Sequence, residues 1–202
     1  YGAPGVVLAD TTAEPVATSV GSAWLITCRP GSIPRTVSKS KPKTMLPAMK
    51  NMADNDMPIF VLTDLDQCEC SPKLIREWFD VNDPKPQVPR DFLFRIAERE
   101  VESWLMADYE SLSEFLSIPV ANFPRQPDSI ERPKQELLNI LRRKARKRCF
   151  KYMIPEPGGH VGPEYNPQLS SFVREHWDIE RAASRSSSLN RAFSKLMTFG
   201  ES

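Results

Sequence analysis

The sequence has few glycines, no matched cysteine pairs and no long apolar run. Only 8 glycines stand against 19 prolines in 202 residues, which suggests many short elements with rigid connections. The four cysteines, Cys28, Cys68, Cys70 and Cys149, lack the spacing of a zinc site, because Cys68 and Cys70 have no matching second pair. Reduced thiols in an intracellular protein are therefore expected. No stretch is long enough to span a membrane and no signal peptide is visible, so a cytoplasmic protein without a membrane partner is expected. The chain begins at Tyr1 rather than a methionine, which leaves room for residues ahead of it. There is no Gly-rich nucleotide loop of the P-loop type; if ATP matters, a partner supplies the ATPase. A net charge of +1 says nothing about partners, so only local clustering of charge can. What remains is ordinary for a globular chain: 26% charged and 40% hydrophobic residues.

The first half alternates strands and helices. Val6-Val7-Leu8, Ala23 to Thr27, Ile59 to Leu62 and Phe92 to Ala97 read as strands. Arg29 to Thr44 is polar and reads as a loop, and Asn82 to Pro89 as a Pro-rich loop. Helices are expected at Met45–Met52, Pro72–Phe79 (Ser71 as N-cap) and from about Arg99 to Ala107. This order argues for an α/β fold with a mostly parallel sheet flanked by helices. After Asp108 strands vanish. Helices are expected at Tyr109–Leu116, Pro133–Arg148, Pro167–His176, Ile179–Ser184 and Leu189–Met197. The organisation read is an α/β core over residues 1–108 and a helical region over 109–202 packed on it.

The stretch Ile59-Phe60-Val61-Leu62-Thr63-Asp64-Leu65-Asp66 runs a buried strand straight into two aspartates. Ligands of open α/β sheets bind beyond the carboxyl ends of strands. Residues i and i+2 of an extended segment point the same way, so Asp64 and Asp66 can aim at one spot. Two close carboxylates repel unless a cation sits between them, and hard Mg²⁺ or Mn²⁺ suits oxygen ligands. Such a metal can activate water and stabilise phosphoryl charge. The plainer account is an Asp-rich turn with solvated charges. The next strand leads into Glu98-Arg99-Glu100-Val101-Glu102, where one or two glutamates, Glu100 or Glu102 among them, could extend the cluster. Glu98 and Glu102, at i and i+4, share a face, and Glu100 points elsewhere. Arg99 could orient a carboxylate or touch phosphate. The plainer account is acidic residues favouring a helix N-terminus.

A strand ending in Asp-x-Asp resembles the TOPRIM fold of topoisomerases, primases and OLD-type nucleases. More specifically, "VLTDLD", "RIAEREVESWLMAD", "RPKQELLNILRRKARKR", "GPEYN" and "ERAASRSSSLNRAFSKL" resemble the blocks of small bacterial TOPRIM-like proteins of formally unknown function, often encoded near ATPases in phage-defence loci. The resemblance covers nearly the whole chain. It implies a TOPRIM-like Rossmannoid core and Mg²⁺-dependent cleavage of nucleic acid phosphodiesters. It also implies the role of a toxin effector in antiviral defence beside an ABC- or OLD-class ATPase. TOPRIM proteins carry a glutamate at the end of the first strand, as metal ligand or general acid/base. Here Ala9 occupies that position, followed by Asp10 and Glu14. Either the chain is inactivated, or Asp10 does the work.

In "LRRKARKR", Arg142, Arg143, Lys144, Arg146, Lys147 and Arg148 crowd the end of a helix whose other side is apolar. Phosphate-backbone contact needs such clustered charge; a solvated face suited to a helix C-terminus is the plainer reading. Lys39, Lys41 and Lys43 could serve the same purpose, with Arg125 and Arg132 as weaker candidates. His160 could touch substrate, His176 reads as packed at a helix end, and Trp104, Leu105 and Met106 read as core. Three readings follow: a metal-dependent nuclease, a non-catalytic module binding nucleic acid or protein, and a phosphatase or nucleotidyl-transfer enzyme. DNA against RNA, and monomer against homodimer, stay open.

Overall fold

The computed structural model describes residues 22–27, 35–38, 59–65, 68–79 and 92–198. The expected strand at Val6–Leu8, the helix at 45–52 and the loop at 82–89 lie outside the described residues, as do Ala9, Asp10, Glu14, Lys39, Lys41, Lys43 and Asp66. The fold is mixed α/β. Strands β1 (Ser22–Thr27), β2 (Arg35–Ser38), β3 (Ile59–Asp64) and β4 (Phe92–Ala97) form one sheet in the order β2-β1-β3-β4. β3 and β4 are parallel, with Asp64 opposite Ala97. β1 runs antiparallel to both β2 and β3. The described sheet is thus mixed, not mostly parallel, and the polar stretch read as a loop contains β2. The connection explains part of this. Residues 28–34 are too few for the crossover of a dozen or more residues that a parallel neighbour requires.

The helices are α1 (Ser71–Phe79), α2 (Val101–Ala107), α3 (Tyr109–Leu116), α4 (Pro133–Lys144), α5 (Arg148–Lys151), α6 (Tyr165–Glu175), α7 (Ile179–Ala183) and α8 (Ser187–Met197). Among the described residues none is long and apolar enough to cross a membrane. Strand alternation sorts the sheet into two faces. Val61, Phe92 and Phe94 pack with Leu74 and Phe79 of α1, where Phe79 meets both Phe92 and Phe94 edge-on. Phe60, Leu62 and Leu93 face the other way, onto Trp104 of α2, Ala182 and Ala183 of α7, and Leu189 and Ala192 of α8. A third cluster takes no strand residue and lies around Leu112, Leu137, Ile140, Leu141 and Phe172.

The short helix α2 joins these layers. Glu102 to Ala107 are all buried, and Trp104 Nε1 donates to Ser188 Oγ of α8 at 2.7 Å. Asp108 follows, fully buried. Its carboxylate accepts from the Asp178 N–H at 2.8 Å and from Arg181 Nε and Nη2 at 2.7 and 3.1 Å. It also caps α3 through the Ser111 N–H at 3.4 Å. Arg185 pairs with Glu110, and its guanidinium lies 4.1 Å over the Tyr109 ring. Burial pushes the Asp108 carboxyl up, but the hydrogen bonds from Arg181, Asp178 and Ser111 and the Arg181 charge outweigh it and hold it below its ordinary value.

Removing Arg181 strands a buried carboxylate. Arg181→Ala should cost about 3 kcal/mol in urea unfolding at pH 7. Lys73→Ala, which breaks an exposed pair with Glu69, should cost under about 1 kcal/mol. Because the folded-state pKa of Asp108 is depressed, its contribution is present above the unfolded value and lost as pH falls through the folded one. Acid titration of stability should be shallower in Asp108→Asn; an identical acid limb would refute this assignment.

Candidate functional site

The parallel pair β3–β4 ends in carboxylates. Asp64 lies on the same strand face as Phe60 and Leu62 and is 3% exposed. Its Oδ1 accepts the Val101 N–H at 2.9 Å, so a residue of β3 satisfies the first turn of α2. β4 ends at Ala97. Arg99 then takes a left-handed backbone with φ 65, unusual for a residue with a Cβ. This turn delays the helix: Glu100 remains extended at φ −141 and ψ 154, and α2 starts at Val101. Glu98 and Glu102 therefore do not share a helical face. Glu98 lies nearer the surface, with Oε2 3.9 Å from Arg191 Nη2.

Glu100 Oε2 accepts the Lys134 N–H at 2.8 Å, satisfying the first turn of α4. Glu102 points inward and is 3% exposed. Its Oε1 accepts the Tyr165 hydroxyl at 3.0 Å and lies 3.5 Å from Lys134 Nζ. Its Oε2 is buried and has no hydrogen-bond partner. Burial and then the charges of Glu102, Glu100 and Asp64 raise the Tyr165 phenol well above its ordinary value. It remains a proton donor to Glu102, while Glu100 and Asp64 act on it through their charge. Tyr165 is brought there by Gly162, whose N–H bonds Met153 O at 2.9 Å. A Cβ on Gly162 would stand 2.0 Å from the Tyr152 carbonyl oxygen.

Of the residues singled out in the sequence, Asp64, Glu100 and Glu102 come together. Arg99 is half-buried and shapes the turn. Arg142, Arg143, Arg146 and Lys147 are exposed at the far end of α4. His160 is exposed. His176 ends α6 with its ring 5.2 Å from that of Phe115. Lys134 and Tyr165 had no role in the sequence reading. Lys134 follows a helix-starting proline, and Tyr165 lies in the "GPEYN" block, but nothing local ties either to Glu102.

The donor set is all oxygen, which suits a hard cation, and the orphaned Oε2 of Glu102 is what such an ion would take. Among the described residues no group of three or more His, Cys, Asp or Glu side chains is arranged to hold a metal ion. Asp66, the remaining ligand expected from sequence, lies outside them. No family model, curated protein or solved structure matches the chain.

Tyr165→Phe removes the one neutral donor to Glu102. It should lower stability by about 1–3 kcal/mol in thermal or urea unfolding. A variant as stable as the parent would mean that Lys134 alone satisfies Glu102.

Proposed function

We propose that this chain is a metal-dependent endonuclease of TOPRIM type, cleaving phosphodiester bonds of DNA or RNA as the effector of an ATPase-linked phage-defence system. The observation that carries the reading is Glu102: a buried carboxylate with an unpartnered oxygen, beside Asp64 and Glu100 at the carboxyl end of two parallel strands. Asp64, Asp66 and Glu102 would hold Mg²⁺ or Mn²⁺, with Glu100 extending the site. The ion would supply an activated water and charge stabilisation on the phosphoryl group. The chain's own residues do the positioning. Tyr165 and Lys134 hold Glu102, and Asp64 is tied to the start of α2. Arg142, Arg143, Arg146 and Lys147 offer phosphate contacts. Ala9 stands where the resemblance places a glutamate, so the chain as given has little or no activity unless Asp10 or Glu14 substitutes.

A second reading has support of its own. Asp64 Oδ1, Glu100 Oε2 and Glu102 Oε1 all hold structural hydrogen bonds. A non-catalytic module binding nucleic acid or a protein partner could use these carboxylates for the fold alone.

Metal binding separates the two without any assay of activity. At ten times its Kd, Mn²⁺ should stabilise by about 1.4 kcal/mol, raising Tm by about 3–6 °C. Asp64→Asn and Glu102→Gln keep an acceptor for Val101 and Tyr165 while removing charge, so both should fold and lose the rise. An unmoved parent Tm would support the non-catalytic reading.

Cleavage is tested with plasmid, phage DNA and tRNA in the presence of the ATPase. Ala9→Glu should gain Mg²⁺-dependent cleavage by about a hundredfold or more. Adding Asp64→Asn should abolish it. If Ala9→Glu gains nothing while Asp10→Ala destroys an existing activity, Asp10 is the working acid.

A further inference from the structure

Helix α4 joins two unlike sites. Its first turn is fastened to the acidic cluster through Lys134. Its apolar side, Leu137, Leu138, Ile140 and Leu141, is buried almost completely, so the rod is fixed in place. At its other end the chain leaves the helix at Ala145, which is extended at φ −64 and ψ 124. A cleft of about 420 Å³ opens there, lined by Ser117, Pro119, Arg143, Lys144, Ala145 and Arg146. Ser117, in the left-handed region at φ 55, ends α3 on the opposite wall.

The charge around this cleft is largely unneutralised. Arg142, Arg143, Lys144, Arg146, Lys147 and Arg148 are all exposed. Arg143 pairs with Glu136 at 3.4 Å; none of the other five has a carboxylate partner among the described residues. Complementing the helix dipole does not require so many cations, since that effect is confined to the last turn. An aromatic ring stands close along the chain. Tyr152 follows α5 and is 45% exposed, one of two large apolar side chains so open among the described residues. Its hydroxyl accepts from Arg148 Nε and Nη2 at 3.1 and 2.8 Å, and Arg148 Cζ lies 5.4 Å from its ring centroid, which ties the ring to the last cation of the basic run.

We propose that this end of α4 is a binding site for a single strand of nucleic acid, with a backbone phosphate in the Arg143–Lys144–Arg146 cleft and a base on Tyr152. The assignment deepens the nuclease reading and rests on it only for what happens at the acidic end. Cations with an exposed aromatic are the means by which proteins hold unpaired strands, because every unpaired base offers a face to stack. A duplex offers its phosphates but hides those faces. The helix also sets a distance. From Lys134 to Lys144 the axis advances about 15 Å at about 1.5 Å per residue. At about 3.4 Å per nucleotide of a helically stacked strand, that is about four or five nucleotides. A strand seated in the cleft therefore reaches the acidic cluster about that many nucleotides away.

Fluorescence anisotropy with a labelled 15-nucleotide single strand, the matching duplex and polyglutamate of equal charge tests this, in EDTA so that no cleavage intervenes. Because binding is read without metal, a protein that proves not to be a nuclease still gives an answer. The parent should prefer the single strand to both competitors. Arg143→Ala/Lys144→Ala/Arg146→Ala should weaken single-strand binding at least tenfold and reduce the salt slope by about two to three. Tyr152→Leu should weaken the single strand about five- to a hundredfold and leave the duplex unchanged. Circular dichroism and Tm confirm that each variant is folded. An unchanged salt slope in the triple variant, equal loss on both nucleic acids in Tyr152→Leu, or polyglutamate binding as tightly as the strand would each overturn the assignment.

Discussion

A helix of seven residues, α2, with six of them buried, has to satisfy both of its ends inside the protein. The first N–H groups and last carbonyls of any helix lack partners within it, and here solvent cannot supply them. The chain answers from a distance in sequence. Asp64 of β3 takes the Val101 N–H, and the Ser103 hydroxyl donates to the Glu100 and Glu98 carbonyls at 2.9 and 3.3 Å. At the other end Arg185 Nη1 donates to the Ala107 carbonyl, and Asp108 gathers Arg181 and the Asp178 N–H. These bonds fasten the sheet and α7 to one element, and the Trp104–Ser188 and Asp108–Ser111 bonds add α8 and α3. The apolar clusters add area to this arrangement, but the polar bonds decide which surfaces meet.

Three buried carboxylates lie on or beside α2, and they differ in how completely they are satisfied. Asp108 meets a bidentate guanidinium and two backbone N–H groups, which is what a structural buried charge requires. Asp64 has one oxygen committed to Val101. Glu102 has one oxygen bonded to Tyr165 and the other without a partner. A carboxylate kept from water with an oxygen unbonded costs free energy. Two acids six residues apart, one in α2 and one just past its end, thus differ sharply: Asp108 is fully bonded and Glu102 keeps one buried oxygen without a hydrogen-bond partner.

Much of this was legible in the sequence where local chemistry was strong. The continuous apolar run Ile59–Leu62, the Ser71-Pro72 start and the apolar side of α4 each declare their element without tertiary help. The failures were of two kinds. Thr36-Val37 forms a strand inside a polar stretch because β1 offers an edge, and no local pattern marks that. Arg99 turns left-handed and α4 stops at Lys144 because neighbours require it: the first lets Glu100 meet Lys134, the second turns Phe150 into the core beside Phe115. The aspartate and glutamates of the site could be singled out because acids at strand ends are conspicuous. Tyr165 could not, since its partner lies 63 residues away and its role depends on a burial that only the folded chain creates.

The near-zero net charge conceals an acidic cluster held against the first turn of α4 and a basic group at its other end. They lie about 15 Å apart along its axis, beyond the Debye length of about 8 Å at physiological salt. Salt screens the exposed cations of the basic end over that distance, whereas Asp64 and Glu102 are buried and are screened less. If the proposed strand site holds, a polyanion settles on Arg143, Lys144 and Arg146 about 15 Å from the acidic end. Its continuation toward Asp64, Glu100 and Glu102 brings phosphate against carboxylate, and at contact distance screening offers little relief. On the proposed reading a cation at the acidic pole converts that repulsion into attachment. Binding at the basic pole is then independent of metal, while delivery of the strand to the acidic pole is not. On that reading two linked sites need no conformational switch, because the cations at one end of α4 and the carboxylates beside its first turn already order strand binding before metal-dependent delivery.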